Sequence, residues 1–236
     1  MKIFEINELI NYGDKNEHCS WIIYPYLKEI IKINSTDKIL DAGCGDGRLS
    51  EYLNHKKLYA IDYDISNIKK AKKKKYKEVK AASVYNIPYP NKYFDKSFCV
   101  SVLIYVNNID EAMKELMRVT KDEIIITVPN YKWWRIKSFF FRRYRKIRKN
   151  GLVEYNKHHK IKLNEKNISL SSGTLRGLAE KHNLDLEIMY LSNNFKTLRN
   201  LFGNWLASEV VGIFRKNAPT RIRTSITTSA RLCSVR

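Results

Sequence analysis

Apolar residues along this chain fall into two alternating patterns. Short continuous runs, "KILDAG" (38–43), "KLYAID" (57–62), "FDKSFCVSVLIYV" (94–106) and "EIIITVPN" (123–130), predict buried strands, the last stopped by Pro129. Between them lie stretches of helical spacing. "GRLSEYLNH" (47–55) is one. "ISNIKKAKKKKYKEVK" (65–80) predicts a lysine-rich surface helix with Ile65, Ile68, Ala71 and Lys72 at helical spacing. "IDEAMKELMRVT" (109–120) places Ile109, Ala112, Met113, Leu116 and Met117 on one face. A helix before the first strand runs from Pro25, with Leu27, Ile30 and Ile31 together. Further along come a serine-capped helix in "SSGTLRGLAEKHNL" (171–184), a strand "DLEIMYL" (185–191), a helix near "FKTLRNLFGNWL" (195–206) and a strand "SEVVGIFRK" (208–216). Strands alternating with helices predict a parallel sheet covered on both faces, an α/β fold.

Length and composition narrow this to one domain. The 236 residues suffice for a single sizeable core, expected over 1–217. The last 19 residues, from Ala218, lack lysine and asparagine and hold four arginines and seven Ser/Thr, a shift that predicts a disordered tail over 218–236. No apolar run reaches the roughly 18 residues that span a bilayer. The first residues carry acids and polar groups without a hydrophobic stretch, so no secretory leader is expected. Four scattered cysteines with no C-x-x-C pair suggest neither a disulfide framework nor a zinc site, and a cytoplasmic location is expected. The net charge of +20 has two readings. Abundant lysine, asparagine and isoleucine match the bias of an A+T-rich genome; the other reading is an anionic partner.

The candidate chemistry lies in "DAGCGDG" (41–47). Gly43, Gly45 and Gly47 form a turn between a strand and a helix, where backbone can approach a ligand without Cβ obstruction. A dinucleotide fingerprint would carry its third glycine where Arg48 stands, and Asp41 would repel a pyrophosphate while suiting a cationic ligand group. No G-K-[ST] follows, which excludes a P-loop.

"LDAGCGDGRL" resembles motif I, D/E-x-G-x-G-x-G, of class I S-adenosylmethionine (SAM)-dependent methyltransferases. The likeness continues in order: "AIDYDISNIKKA" resembles the second-strand motif, "ASVYNIPYPNKYFDKSFCVSVLIYV" the D-x-x-x-L-P-F…F-D-x-V stretch, and "EAMKELMRVTKDEIIITVPN" the following helix and fifth strand. It covers about half the chain and is nearest to the type 11 branch that includes ubiquinone-biosynthesis O-methyltransferases. The resemblance implies a Rossmann-like three-layer sandwich with a mostly parallel seven-stranded sheet and SAM as cofactor; no metal is expected, because the adjacent His158 and His159 would rarely converge on one ion. It implies that Gly43 and Gly45 surround the methionine portion, with Asp41 near its ammonium, directly or through water. Asp62 would accept from both ribose hydroxyls, Tyr63 would lie against adenine, Ser83 and Val84 at the adenine edge, and Val100 beside the cofactor. The residues also allow plainer roles: a simple turn, a helix cap at Asp62, packing at Tyr63, a filler at Cys44. Two positions depart from the family pattern. Ser83 replaces its usual Asp, and Tyr105 stands where many relatives carry His.

Methyl transfer is an in-line displacement in which positioning supplies much of the rate, and a base helps when the acceptor is a hydroxyl. Tyr105, His158 and His159 are the candidate catalytic groups, the two histidines equally readable as exposed loop residues. Residues 131–170 stand where the family inserts its substrate-covering segment. From Tyr131 to Lys162 there are 12 Lys/Arg and one acid, interleaved with Trp133, Trp134 and Phe139–Phe141. This suits a lid, peripheral contact with an anionic membrane through 132–149, or, less well, RNA. A SAM-dependent methyltransferase acting on a small-molecule or lipid-linked acceptor, at O or N, is the expected function. The alternatives are an RNA or protein methyltransferase and a non-catalytic SAM-fold binding protein.

Overall fold

Helices and strands follow one another nearly as the apolar pattern predicts in a computed structural model of the protein, which describes residues 23–130, 170–191, 209–216 and 222–227. The order is α1 (Ile23–Ile30), β1 (Ile39–Ala42), α2 (Leu49–Leu53), β2 (Leu58–Asp62), α3 (Ile65–Ala71), β3 (Glu78–Ala81), β4 (Phe94–Val100), a 3₁₀ turn (Leu103–Tyr105), α4 (Ile109–Val119), β5 (Thr120–Pro129), α5 (Ser172–His182), β6 (Asp185–Leu191), β7 (Glu209–Arg215) and β8 (Ile222–Thr227). The strands form one sheet in the order β3-β2-β1-β4-β5-β7-β6-β8, parallel except for β7, which runs against both β5 and β6. The chain therefore leaves β1 in one direction through β2 and β3, then returns to build outward through β4 and β5. That reversal opens a crevice at the carboxyl ends of β1 and β4, where such sheets bind ligands.

Each face of the sheet has its own core. Leu40, Ala42, Cys99, Ile124 and Ile126 pack with Met113 and Leu116 of α4 and Leu175 and Leu178 of α5. Ile39, Phe98, Ile125 and Ile213 face the other way, against Ile23 and Leu27 of α1 and Leu49 and Leu53 of α2. Three layers result. Side-chain caps set the helix starts: Asn108 accepts from Glu111 N–H, and Ser171 accepts from Gly173 N–H while its own N–H donates to Thr174 Oγ1.

Three expectations need correction. The lysine-rich helix stops at Ala71, and residues 78–81 form β3 parallel to β2 rather than its last turn. Lysine suits a solvated helix in isolation, but the exposed edge of β2 offers backbone groups that Glu78–Ala81 can pair. The sheet has eight strands instead of seven, because residues 222–227, expected within a disordered tail, form β8 along the edge of β6. Arg223 there pairs with Asp185 at 2.7 Å, and Ile222 packs onto the core. Its β-branched threonines and isoleucines are strand formers despite their polar neighbours. The helix expected near 195–206 and the insertion at 131–170 lie outside the described residues, apart from Leu170.

At the amino-terminal edge of the sheet the charges are paired. Glu123 of β5 accepts from Lys96 of β4 at 2.5 Å and from Arg215 of β7 at 2.8 Å, and Arg215 reaches Glu187 of β6 at 3.0 Å. Burial alone would raise the Glu123 carboxyl, but these two cations outweigh it and hold the group below its ordinary value. Glu123→Ala is expected to lower stability by about 3–5 kcal/mol in urea titrations, since Lys96 is left buried without its partner. A depressed folded-state value gives stability that is present above the unfolded carboxyl's value and lost as pH falls through the folded one. The acid limb of the stability profile should therefore be shallower in Glu123→Gln.

Candidate functional site

Everything the sequence singled out at the glycine turn lies at the carboxyl edge of the sheet. β1 ends at Ala42, and the N–H groups of Gly43 and Cys44 both donate to Ile61 O of β2, at 2.8 and 2.9 Å. Gly43, Gly45 and Gly47 all have positive φ, of 77°, 55° and 91°. They differ in what surrounds them. A Cβ on Gly43 would lie 2.4 Å from Val102, and one on Gly47 would lie 3.1 Å from the Ala71 backbone, whereas one on Gly45 would meet nothing within 4 Å. Gly43 and Gly47 are thus glycines for packing. Gly45 is open above, and its backbone is available to a ligand.

Asp62, the last residue of β2, fastens the turn. Its Oδ2 accepts from Gly45 N–H at 2.8 Å, and its Oδ1 accepts from Asp64 N–H at 2.9 Å and, more weakly, from Asn67 at 3.4 Å. The carboxylate is buried. Beside it Tyr63 is 56% exposed, as is Ile65, and these are the two large exposed apolar side chains among the described residues. Ala82 N–H donates to Asp62 O, which brings the turn after β3 alongside, with Ser83 and Val84 half-buried. Ser83 Oγ accepts from Tyr85 N–H at 3.2 Å.

β4 supplies the other wall. Val100 is buried at its end, and Ser101 follows at φ 56°, a left-handed conformation that costs a non-glycine residue about 1–2 kcal/mol. Hydrogen bonds from Ser101 N–H to Thr127 Oγ1 at 2.9 Å and to Thr127 O at 3.2 Å hold it there. This bend drives Val102 under Gly43. Tyr105 is half-buried in the 3₁₀ turn that follows. His158 and His159 lie outside the described residues, and among those described no cluster of three or more His, Cys, Asp or Glu could hold a metal ion.

Residues 40–127 match the family described as "Methyltransferase domain". That segment is similar to a methyltransferase domain, and the fold around it is one that SAM-dependent methyltransferases share. An uncharacterised Methanocaldococcus jannaschii protein is 33% identical over 127 residues, 51% of this chain and 50% of the relative. An uncharacterised Schizosaccharomyces pombe methyltransferase is 28% identical over 121 residues, 44% and 41%. The chain spans about half the length of the curated relatives it matches. Among solved structures, a Thermotoga maritima SAM-dependent methyltransferase, described as a possible histamine N-methyltransferase, superposes with a TM-score of 0.58 at 17% identity, over 89% of this chain and 96% of that one. An Archaeoglobus fulgidus SAM-dependent methyltransferase gives 0.59 at 15%, over 88% and 99%. At these identities the likeness is one of fold.

Within residues 40–127, Asp41 carries a strongly perturbed carboxyl. Its carboxyl lies buried in β1, accepts from Tyr76 hydroxyl at 2.5 Å, and is pushed up to about 7, chiefly by burial, with Asp62 and Asp46 adding to the rise. Among the described residues no basic side chain pairs with it. Burial, with Asp41 and Asp62 nearby, raises the Cys44 thiol as well, which suits a filler and not a nucleophile. Tyr76, Asn67, Ser101 and Thr127 escaped the sequence reading. Tyr76 was hidden in the supposed lysine-rich helix, and the others carry no motif that marks their role.

The three glycines separate by mutation. Gly43→Ala should lose several kcal/mol in denaturant titrations, and Val102→Ala should restore part of that loss, since it removes the clashing methyls. Gly45→Ala should cost only about 1–2 kcal/mol, from its left-handed backbone alone.

Proposed function

We propose that this protein transfers a methyl group from SAM to a small-molecule or lipid-linked acceptor, at oxygen or nitrogen. The observation that carries the cofactor part is the Asp62 carboxylate closed onto Gly45 N–H beneath an open backbone face. Oδ2 of Asp62 keeps a lone pair for one ribose hydroxyl, and a second hydroxyl could displace the weak Asn67 contact at Oδ1. Asp41, buried with no cation beside it among the described residues, suits the ammonium of the methionine portion. Tyr63 offers an exposed ring to adenine, Ser83 and Val84 stand at its edge, and Val100 closes the β4 side. Ser83 brings no carboxylate there, so adenine recognition falls to backbone and shape. SAM supplies an already activated methyl sulfonium, and the chain's task is to hold the acceptor in line and exclude water. Tyr105, half-buried in the turn after β4, is the described candidate for orienting an acceptor proton.

An RNA acceptor is the second reading. It draws on the exposed lysines at 69, 70, 72–75 and 77, of which Lys70, Lys73 and Lys74 border a cleft of about 350 Å³ with Asp46, and Lys75 and Lys77 one of about 220 Å³ with His55 and Lys56. Peripheral contact with an anionic membrane through 132–149 is proposed from sequence, as that segment lies outside the described residues. No helix among the described residues is long and apolar enough to cross a membrane.

Calorimetric titration with S-adenosylhomocysteine tests the cofactor site. Asp62→Ala should weaken binding by at least about tenfold, through loss of charge-assisted hydrogen bonds that order the turn. Equal affinities would remove Asp62 from the site. Asp41 makes binding pH-dependent. Its folded value lies above the ordinary 3.8, so the empty protein loses stability as pH rises from about 4 to 7. A bound ammonium favours the ionised form, so affinity should fall by up to about tenfold per pH unit below 7, and Asp41→Asn should flatten that slope. Methyl-labelled SAM incubated with fractionated cell extract decides the acceptor. Label in the small-molecule or lipid fraction is expected, and label in RNA or protein would overturn that assignment.

A further inference from the structure

Glu209 begins β7 and pairs in register with Pro129 of β5 and Leu191 of β6. Because β7 runs against its neighbours, its first residue lies where β5 and β6 end, on the edge that carries the glycine turn. Alternation along the strand sets Glu209 on the face of Val211 and Ile213, shared by Ile39, Val100 and Ile125. By the same count Asp41 and Thr127 belong to this face. A row of polar groups thus runs along one side of the carboxyl edge, from β1 through β5 to β7.

Glu209 is only 5% exposed, and its Oε2 has no hydrogen-bond partner among the described residues. Burial, with no cation or donor among the described residues to offset it, pushes the carboxyl up to about 8. Such a group costs stability, and an apolar side chain of like volume would fill the position better. Strands stand 4.7–4.9 Å apart, which sets β7 roughly 10 Å from β4 and roughly 14 Å from β1. That is too far to touch a methyl group delivered beside the glycine turn. It is a suitable distance for gripping another part of the molecule that receives the methyl. A neutral donor would leave the carboxyl protonated, whereas a cation restores its ionised form and makes a charge-assisted bond inside a low-dielectric site.

We infer that Glu209 is a substrate-recognition residue, and that the methyl acceptor carries a cationic nitrogen group which Glu209 holds roughly 10–14 Å from the methylated atom. This rests on the methyl-transfer reading of the glycine-turn site.

The full chain, saturated with S-adenosylhomocysteine, is titrated with butylammonium chloride and separately with 1-butanol by ligand-observed NMR, as wild type, Glu209→Gln and Glu209→Met. Butylammonium should bind the wild type at least about tenfold more tightly than either variant, 1-butanol should bind all three alike, and S-adenosylhomocysteine affinity should not change. Equal butylammonium affinity in wild type and Glu209→Gln overturns the inference, and an equal loss for 1-butanol overturns the cationic assignment. Failure of the wild type to bind S-adenosylhomocysteine would instead sink the methyl-transfer reading. Thermal melts supply a readout free of ligand. Glu209→Met should raise Tm if the carboxyl is kept for a ligand, and a fall in Tm for both variants marks it as structural and overturns the proposal.

Discussion

The carboxylate of Asp62 joins the parts of this site. It ends β2, receives the Gly45 N–H from the turn after β1, and receives Asp64 N–H at the start of α3, where Asp64 in turn caps the helix by accepting from Ser66 N–H. The glycine turn, 17 residues earlier in the chain, is thereby fixed to the junction of β2 and α3 by one buried group. Without it, Gly43, Gly45 and Gly47 would be the most mobile backbone in the crevice, since glycine loses the most conformational freedom on ordering. With it, the turn becomes a preorganised surface, and a ligand arriving there need not meet that cost itself.

Much of this was legible from residue pattern. Continuous β-branched runs such as Ile124–Ile126 announce strands buried on both faces, and 3.6-residue periodicity announces α4 with Ala112, Met113 and Leu116 inward. The glycine spacing and the acid at Asp62 mark the crevice, because left-handed backbone and a strand-end carboxylate leave recognisable residue types. Contacts between distant segments left no such trace. Tyr76 reads as one polar aromatic in a lysine run, yet its hydroxyl reaches Asp41, 35 residues away. Ser101 shows nothing of its left-handed backbone, which depends on Thr127 across the strand pair. β8 was missed for a related reason: its β-branched residues become a strand only where the edge of β6 is there to pair them and Asp185 to hold Arg223.

The lysine run carries a similar lesson about charge. Lys74 pairs with Glu51, while most of its neighbours project into solvent. Composition alone cannot separate a tolerated solvated face from a selected one, because both place exposed cations on one surface.

The two edges of the sheet treat charge in opposite ways, and that contrast locates function more firmly than any single residue. At the amino-terminal edge, Asp95, Glu123, Asp185 and Glu187 each face a lysine or arginine, and the carboxyls of Asp95 and Glu123 are held below their ordinary values. At the carboxyl edge, Asp41 and Glu209 are buried without a cation among the described residues, and their carboxyls are pushed to about 7 and about 8. A fold selected for stability alone would pair or delete such groups. Keeping two of them on one face of the ligand-binding edge leaves the sheet less stable than it could be, and ready to gain when positive charge arrives. On this view the cofactor's ammonium at Asp41 and an acceptor's cation at Glu209 complete a pattern that the opposite edge closes with its own side chains.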